Sequence, residues 1–189
     1  MNYNNKSEIL KRANFLLKDG VKNRESMFHT PIISSFSHQH ISSRVMVLRA
    51  HNATQRTMRF HSDFRSDKVK EMLDDPRTSI IAYDPSLKTQ IRLVGKSKIH
   101  HNNKNSLKAW DESQAISKKC YSVKGGSSKV IDDPASYDIK EFNVEDGYQN
   151  FAVLVFNFDA LEFLFLKSTG HRRAIHKWNK DLKSSWLVP

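Results

Sequence analysis

The sequence has little cysteine: Cys120 stands alone. That excludes an intrachain disulfide and any metal site built on paired cysteines. It also lacks a long uninterrupted apolar run. The most apolar stretch, FAVLVFNFDALEFLFL from Phe151 to Leu166, is interrupted by Asn157, Asp159 and Glu162. It is too short to cross a bilayer as a helix. The opening MNYNNKSEILKR has no apolar segment of the signal-peptide kind. These absences predict a cytoplasmic protein with no membrane partner. No internal repeat and no domain boundary is evident, so a single domain over 1–189 is expected.

Acidic residues are also in deficit. The chain has 20 Asp and Glu against 31 Lys and Arg, a net charge of +11. Such an excess suits nucleic acid, an anionic surface or phosphate-bearing small ligands. The basic residues are scattered rather than gathered on one helix, and no aromatic stacking motif accompanies them, which argues against nucleic acid. His38 with His40, and His100 with His101, have no third ligand at a recognisable spacing, so no metal is expected. Cys120 has no His or Asp in a nucleophile pattern, and no catalytic residue is identified.

What is present is mostly strand. Ser7 is read as an N-cap, Ile9, Leu10, Ala13, Leu16 and Leu17 follow at helical spacing, and Gly20 suits the stop. This predicts a helix over about 5–19. PIISSF, SRVMVLRA and QRTMRFHS are short β-rich runs, the last two joined by HNAT. Ser66 starts a short helix with Val69, Met72 and Leu73 on one face, ended near Pro76. RTSIIAYD and TQIRLVGKSKI are strands joined by DPSLK. Asn105 to Cys120 reads as helix broken near Ser113, and about 121–139 as a long exposed loop. A meander of NFAVLVFNF, LEFLFL and HRRAIHKWN follows. The fold class is mainly β with flanking helices, a small barrel. In Phe151 to Phe158 both alternating faces are apolar. Ala152, Leu154, Phe156 and Phe158 would fill the barrel. Phe151, Val153 and Val155 would either meet a second subunit or lie under the N-terminal helix.

Four pieces carry chemistry. SRVMVLRA puts Arg44, Met46 and Leu48 on one strand face and Val45 and Val47 on the other. FHSDFRSDK gathers His61, Ser62, Arg65, Ser66 and Lys68 at a strand end and helix start, where free backbone N–H groups and the helix dipole favour a phosphate. TQIRLVG sets Gln90 and Arg92 opposite Ile91 and Leu93. GHRRAIHKW clusters His171, Arg172, Arg173 and His176.

In this order, from about His29 to the terminal WLVP, these pieces resemble the pyridoxamine 5'-phosphate oxidase family. The segment Ser62-Asp63-Phe64-Arg65-Ser66-Asp67-Lys68 is similar to the "TDxRSxK"-like stretch of its divergent branch. The resemblance implies a split β-barrel that forms a homodimer and holds flavin mononucleotide (FMN) at the subunit interface. It implies that Arg44 and Lys68 bind the FMN phosphate, with Arg65 and Ser66 assisting. It further implies that Arg44, Val45, Met46 and Val47 line the ring with their backbone, that His61 and Ser62 lie beside it, and that Gln90 bonds its edge. Arg172 and Arg173 would take an anionic substrate.

The departures are as informative. Asp67–Lys68 stands where the vitamer oxidase has an Arg–Lys pair. Arg172, Arg173, Ala174, Ile175 and His176 keep only the first arginine of its "RLHDR"-like signature. Leu164 stands at its expected tryptophan, and its substrate-phosphate segment is not recognisable between Ala109 and Tyr121. The expectation is an FMN-dependent oxidoreductase acting on a small molecule other than pyridoxamine phosphate. The alternatives are a flavin-binding stress or storage protein without turnover, or a basic nucleic-acid binder.

Overall fold

The computed structural model describes residues 2–38, 40–127, 129–138 and 147–189. Helix α1 (Lys6–Lys22) turns Ile9, Ala13, Leu16 and Leu17 inward. Its cap is Asn5, not Ser7: the Asn5 side chain accepts the N–H groups of Ser7 and Glu8. The helix runs through Gly20 and ends where the Asn23 N–H bonds Asp19, so the expected stop falls a few residues early.

Nine strands follow among the described residues: β1 (Ile32–Phe36), β2 (Ile41–Val45), β3 (Ala50–Asn52), β4 (Thr57–Asp63), β5 (Arg77–Asp84), β6 (Thr89–His101), β7 (Phe151–Phe165), β8 (Arg172–Trp178) and β9 (Leu182–Leu187). All pairs are antiparallel, in the order β2-β1-β5-β6-β7-β4-β3, with β8 on β7 and β9 on β8. The mainly β class with flanking helices is therefore observed. Strand β7 is the hub. One edge pairs with β6 along its length, while the other pairs first with β4 and then with β8.

NFAVLVFNF and LEFLFL are thus one strand, not two. The polar residues that suggested a break lie at a bulge, where the register shifts between Val94 and Gly95. A Cβ at Gly95 would fall 2.0 Å from the Asn157 carbonyl oxygen, so only glycine lets the strands pass there. Strand β9 was not foreseen.

The interior is filled by alternate residues, among them Leu154, Phe156, Phe158, Leu161 and Phe163 of β7 with Ile33, Leu48, Met58, Phe60, Ile80 and Leu93. Helix α1 closes this core, packing on β3, β7, β8 and β9. The second apolar face of β7 is covered by neither expected partner. Helix α3 (Lys104–Asp111) lays Ala109 and Trp110 over Phe151 and Val153, with Tyr121, Tyr148 and Val155 at the margin. A short helix α4 (Ala115–Lys118) and a 3-10 turn at Lys119–Tyr121 follow, so the break near Ser113 is as read. Helix α2 (Asp67–Asp74) starts after Ser66 and buries Val69 and Met72; Leu73 is exposed, a correction to its expected face.

Candidate functional site

A cavity of about 450 Å³ opens where β2 ends and α2 begins. It is lined by Val45, Met46 and Val47 at and just past the end of β2, by His61, Ser62 and Asp63 of β4, and by Lys68 of α2. The opposite wall is Cys120, Tyr121, Val123, Gly125, Gly126 and Ser127, with Tyr137. The volume lies within the roughly 300–1,000 Å³ usual for small-molecule and cofactor sites.

The β2 wall follows from strand alternation carried past the ladder's end. Met46 and Leu48 are buried, and their N–H groups bond the Pro31 and His29 carbonyls. Val45 and Val47 point the other way. The Val47 N–H has no such bond among the described residues, leaving a donor beside the cavity.

Around the cavity the expected cations divide. Lys68 makes no ion pair or hydrogen bond among the described residues. Its pKa is lowered by burial and then by the nearby Arg44 guanidinium, despite Asp63, Asp67 and Glu71. A partly buried ammonium without a direct partner is a site that a phosphate would stabilise. Arg44 borders a neighbouring cavity that shares Val45, Lys68 and Ser127 with the first. It is held by Glu71 at 2.8 Å and donates to Ser35 and Ser42. Burial opposes ionisation of Glu71, but hydrogen bonds from Ser35 and Arg44 outweigh it and lower its pKa.

Arg65 is paired with Asp63, donating from Nε to Oδ1 at 3.0 Å and from Nη2 to Oδ2 at 2.6 Å. Ser66 is buried and donates to the Asp63 carbonyl at 2.6 Å, with Ser62 3.2 Å away. His61 is lowered to about 3 by burial and by the Arg59 and Arg49 charges, so it is a neutral ring at neutral pH. Its Nε2 is buried with no partner. Burial raises Tyr121 to about 12, which keeps its phenol neutral.

Arg49 and His61 also border a second cavity, of about 260 Å³, with Lys22, Arg24, Arg59 and Gln114. Its carboxylate is Glu112, 3.2 Å from Arg59. Sequence reasoning stopped at Leu48 and missed Arg49, although alternation from Val45 and Val47 sends Arg49 to the same side. It also read Gly125 to Ser127 as exposed loop, where the structure makes them cavity wall.

The structure brings Val45, Met46, Val47, His61, Ser62 and Lys68 to one cavity, with Arg44, Arg65 and Ser66 packed around it. It does not bring Gln90, Arg172 or Arg173 there within one chain. Gln90 pairs with Leu164 near the end of β7, whereas His61 pairs with Val153 near its start. Arg173 is 2.8 Å from Glu162, which Arg92 flanks at 2.6 Å, and Arg172 donates to Asn4. All of Gln90, Arg92, Glu162 and Arg173 lie on the outer sheet face, in register with Tyr83 and Ile81.

Residues 14–101 match the family model described as pyridoxamine 5'-phosphate oxidase, FMN-binding domain. That segment holds Arg44, His61, Lys68 and Gln90 but not Arg172 or Arg173. No curated protein matches the chain. Among solved structures, PhzG from Burkholderia lata 383, in complex with tetrahydrophenazine-1-carboxylic acid, superposes with a TM-score of 0.79 at 18% identity, covering 99% of this chain and 96% of that one. A pyridoxamine 5'-phosphate oxidase-related, FMN-binding protein from Nostoc punctiforme PCC 73102 gives 0.75 at 16% identity, covering 97% and 95%. A Clostridium acetobutylicum protein related to general stress protein 26 of B. subtilis gives 0.57 at 10% identity, covering 92% and 95%. At these identities the structures show a common fold. The match over residues 14–101 and these neighbours agree on one fold, that of the pyridoxamine 5'-phosphate oxidase-like, FMN-binding proteins.

Proposed function

We propose that the chain binds FMN in the larger cavity and acts as an oxidoreductase on a small anionic molecule. The observation that carries this reading is the pairing of Lys68, a partly buried cation without a direct partner among the described residues, with the apolar side chains of Val45 and Val47. The cation suits a phosphate and the apolar residues a flat ring, and both lie inside the segment that matches the family model. When bound, FMN supplies the electron transfer. Lys68 anchors the phosphate, with Arg44 beside it, oriented by Glu71. The Val47 N–H and the neutral His61 ring meet the flavin without adding charge. The second cavity's Arg24, Arg49 and Arg59 take the anionic group of the substrate, in place of the oxidase's own substrate-phosphate segment. The carboxylic acid held by the Burkholderia relative is a compound of that charge.

The homodimer belongs to this proposal, on a different surface from the one the sequence suggested. The outer sheet face leaves Ile32, Val45, Tyr83 and Val94 at 43–61% exposure. Val45 belongs both to this face and to the cavity, so a second subunit seated there brings its own Gln90 and Arg173 toward the flavin.

The purified protein is expected to be yellow, to release FMN rather than FAD on denaturation, and to be a dimer by light scattering. A colourless protein that takes up no added FMN overturns the cofactor reading. FMN binding without reduction by any nicotinamide would favour a flavin-binding protein without turnover. Pyridoxamine 5'-phosphate is expected to turn over far below ~1 per second, at the low end of ordinary enzyme rates. Ala174 and His176 lack the hydrogen-bonding and charge of the oxidase signature. Turnover at that rate or faster restores the plain oxidase assignment.

A further inference from the structure

Arg65 was expected to assist the phosphate, yet its guanidinium is committed elsewhere. Asp63 takes its Nε–Nη2 edge, Nε to Oδ1 and Nη2 to Oδ2, and also accepts the Arg65 backbone N–H at 2.8 Å. The same Nη2 donates to the Val123 carbonyl at 3.1 Å. Val123 begins the loop that forms the cavity's far wall. Three residues on, that loop closes onto Arg65 again: a Cβ at Gly126 would lie 2.8 Å from the Arg65 Cβ and 3.1 Å from its carbonyl oxygen. Between these contacts Gly125 has φ +89°. The loop therefore touches the β4–α2 corner twice, both times at Arg65, once by a hydrogen bond and once by a backbone approach open only to glycine.

We propose that Arg65 is a positioning residue that latches the Val123–Ser127 loop over the cofactor cavity, and that it is not a phosphate ligand. The carboxylate of Asp63 fixes the fork; the fork fixes the loop. The geometry suits the task. An arginine has donors to spare after a bidentate carboxylate pair, so one remains for a carbonyl. Asp63 and Arg65 side chains are 13% and 27% exposed, so the pair is shielded from competing water. The Asp63 hydrogen bonds raise the Arg65 pKa despite its burial, so the guanidinium stays charged.

This inference rests on the proposed FMN site, and the test separates the two. Hydrogen exchange of the 123–127 amides is measured in the FMN-free protein, wild type, Arg65→Ala and Gly126→Ala. FMN release rates and the affinities for FMN and riboflavin are measured in the same proteins. Arg65→Ala loses one hydrogen bond and is expected to exchange roughly tenfold faster; Gly126→Ala pushes the loop off the Arg65 backbone and is expected to exchange faster too, and both are expected to release FMN faster in step. Their preference for FMN over riboflavin is expected to stay that of the wild type. Gly126→Ala alters no charge, so it carries the same prediction without disturbing Asp63. If Arg65→Ala loses FMN but not riboflavin while exchange is unchanged, Arg65 is a phosphate ligand and the latch is refuted. Unchanged exchange in both variants refutes it as well. If the wild type binds neither flavin, the cofactor reading fails, and the exchange rates still decide the latch.

Discussion

The cavity has two walls made in different ways. One is the end of β2 with Met46 and Val47 just past it, together with β4 and the start of α2: backbone set by regular elements, with the Val47 N–H left unbonded among the described residues. The other is the segment from Cys120 to Ser127 with Tyr137, held by a 3-10 turn, one arginine and the ring cluster under Trp110. The first wall presents fixed donors to whatever binds. The second owes its position to contacts from elsewhere in the chain. A ligand's affinity should therefore be set by the first wall, and its access by the second.

The largest test of that division is Trp110→Ala. Trp110 is 6% exposed, and its ring centroid lies 5.2 Å from Phe151 and 6.0 Å from Tyr121. It joins the outer face of β7 to the loop wall. Truncating a buried tryptophan costs about 3–5 kcal/mol, read as a lowered midpoint in denaturant. A loss below about 1 kcal/mol would mean that the second cluster is not a core, and that the β7 outer face has some cover besides α3.

Lys68→Ala comes next and belongs to the first wall. A charge-assisted hydrogen bond to phosphate is worth about 1.5–3 kcal/mol, so FMN affinity should fall roughly tenfold to a hundredfold. Riboflavin, which has no phosphate, should bind the variant and the wild type alike. Arg12→Ala, on α1, should leave FMN affinity unchanged. Equal losses from both would make net charge, not the site, the source of binding.

How much of this was legible varies with how local the cause is. Alternation in SRVMVLRA separated Met46 and Leu48 from Val45 and Val47, because a strand's two faces are fixed by its own residues, and the structure buries the first pair. The Ser66 helix start and Lys68 were equally readable. The partner of Arg44 was not. Glu71, 2.8 Å away, looks in sequence like one more residue on a solvated helix. Strand β7 was cut in two because Asn157 and Asp159 read as punctuation. The bulge that absorbs them depends on Gly95, far off in the chain. The cover over Phe151 and Val153 comes from Trp110 across a sheet that no periodicity reveals. Gly125 and Gly126 spelled a loop correctly and concealed that the loop is a wall.

His61 of β4 sharpens the comparison. Its folded pKa of about 3 lies below the 6.5 of the free side chain. The unfolded chain therefore takes up the proton first. Stability is full above pH ~6.5 and is lost as pH falls through the window between those values. The stability difference between wild type and His61→Gln should be flat from pH 7 to 8. Below pH 6.5 it should change by at most about 1.4 kcal/mol per unit. His51 and His176, both lowered to about 4 by burial, add to the acid lability of both proteins and cancel in this difference. A difference that changes only above pH 7 would mean that a charged His61 is stabilised in the fold.

The smallest effect is expected at Cys120. The residue is exposed and lies on the loop wall. Serine replaces the thiol with a hydroxyl of nearly the same shape, so the wall keeps its form. Affinity for a flavin held by Lys68 and the β2 backbone should then change by less than about 0.5 kcal/mol, the usual range for a surface substitution away from special contacts. The flavin spectrum should hardly move, because a neutral hydroxyl in place of the thiol alters the field at a ring it does not touch very little. A loss of tenfold or more in affinity, or a shifted flavin band, would place the sulfur against the ring. The loop wall would then be part of the binding surface rather than its cover, and the division between affinity and access would fail at its weakest point.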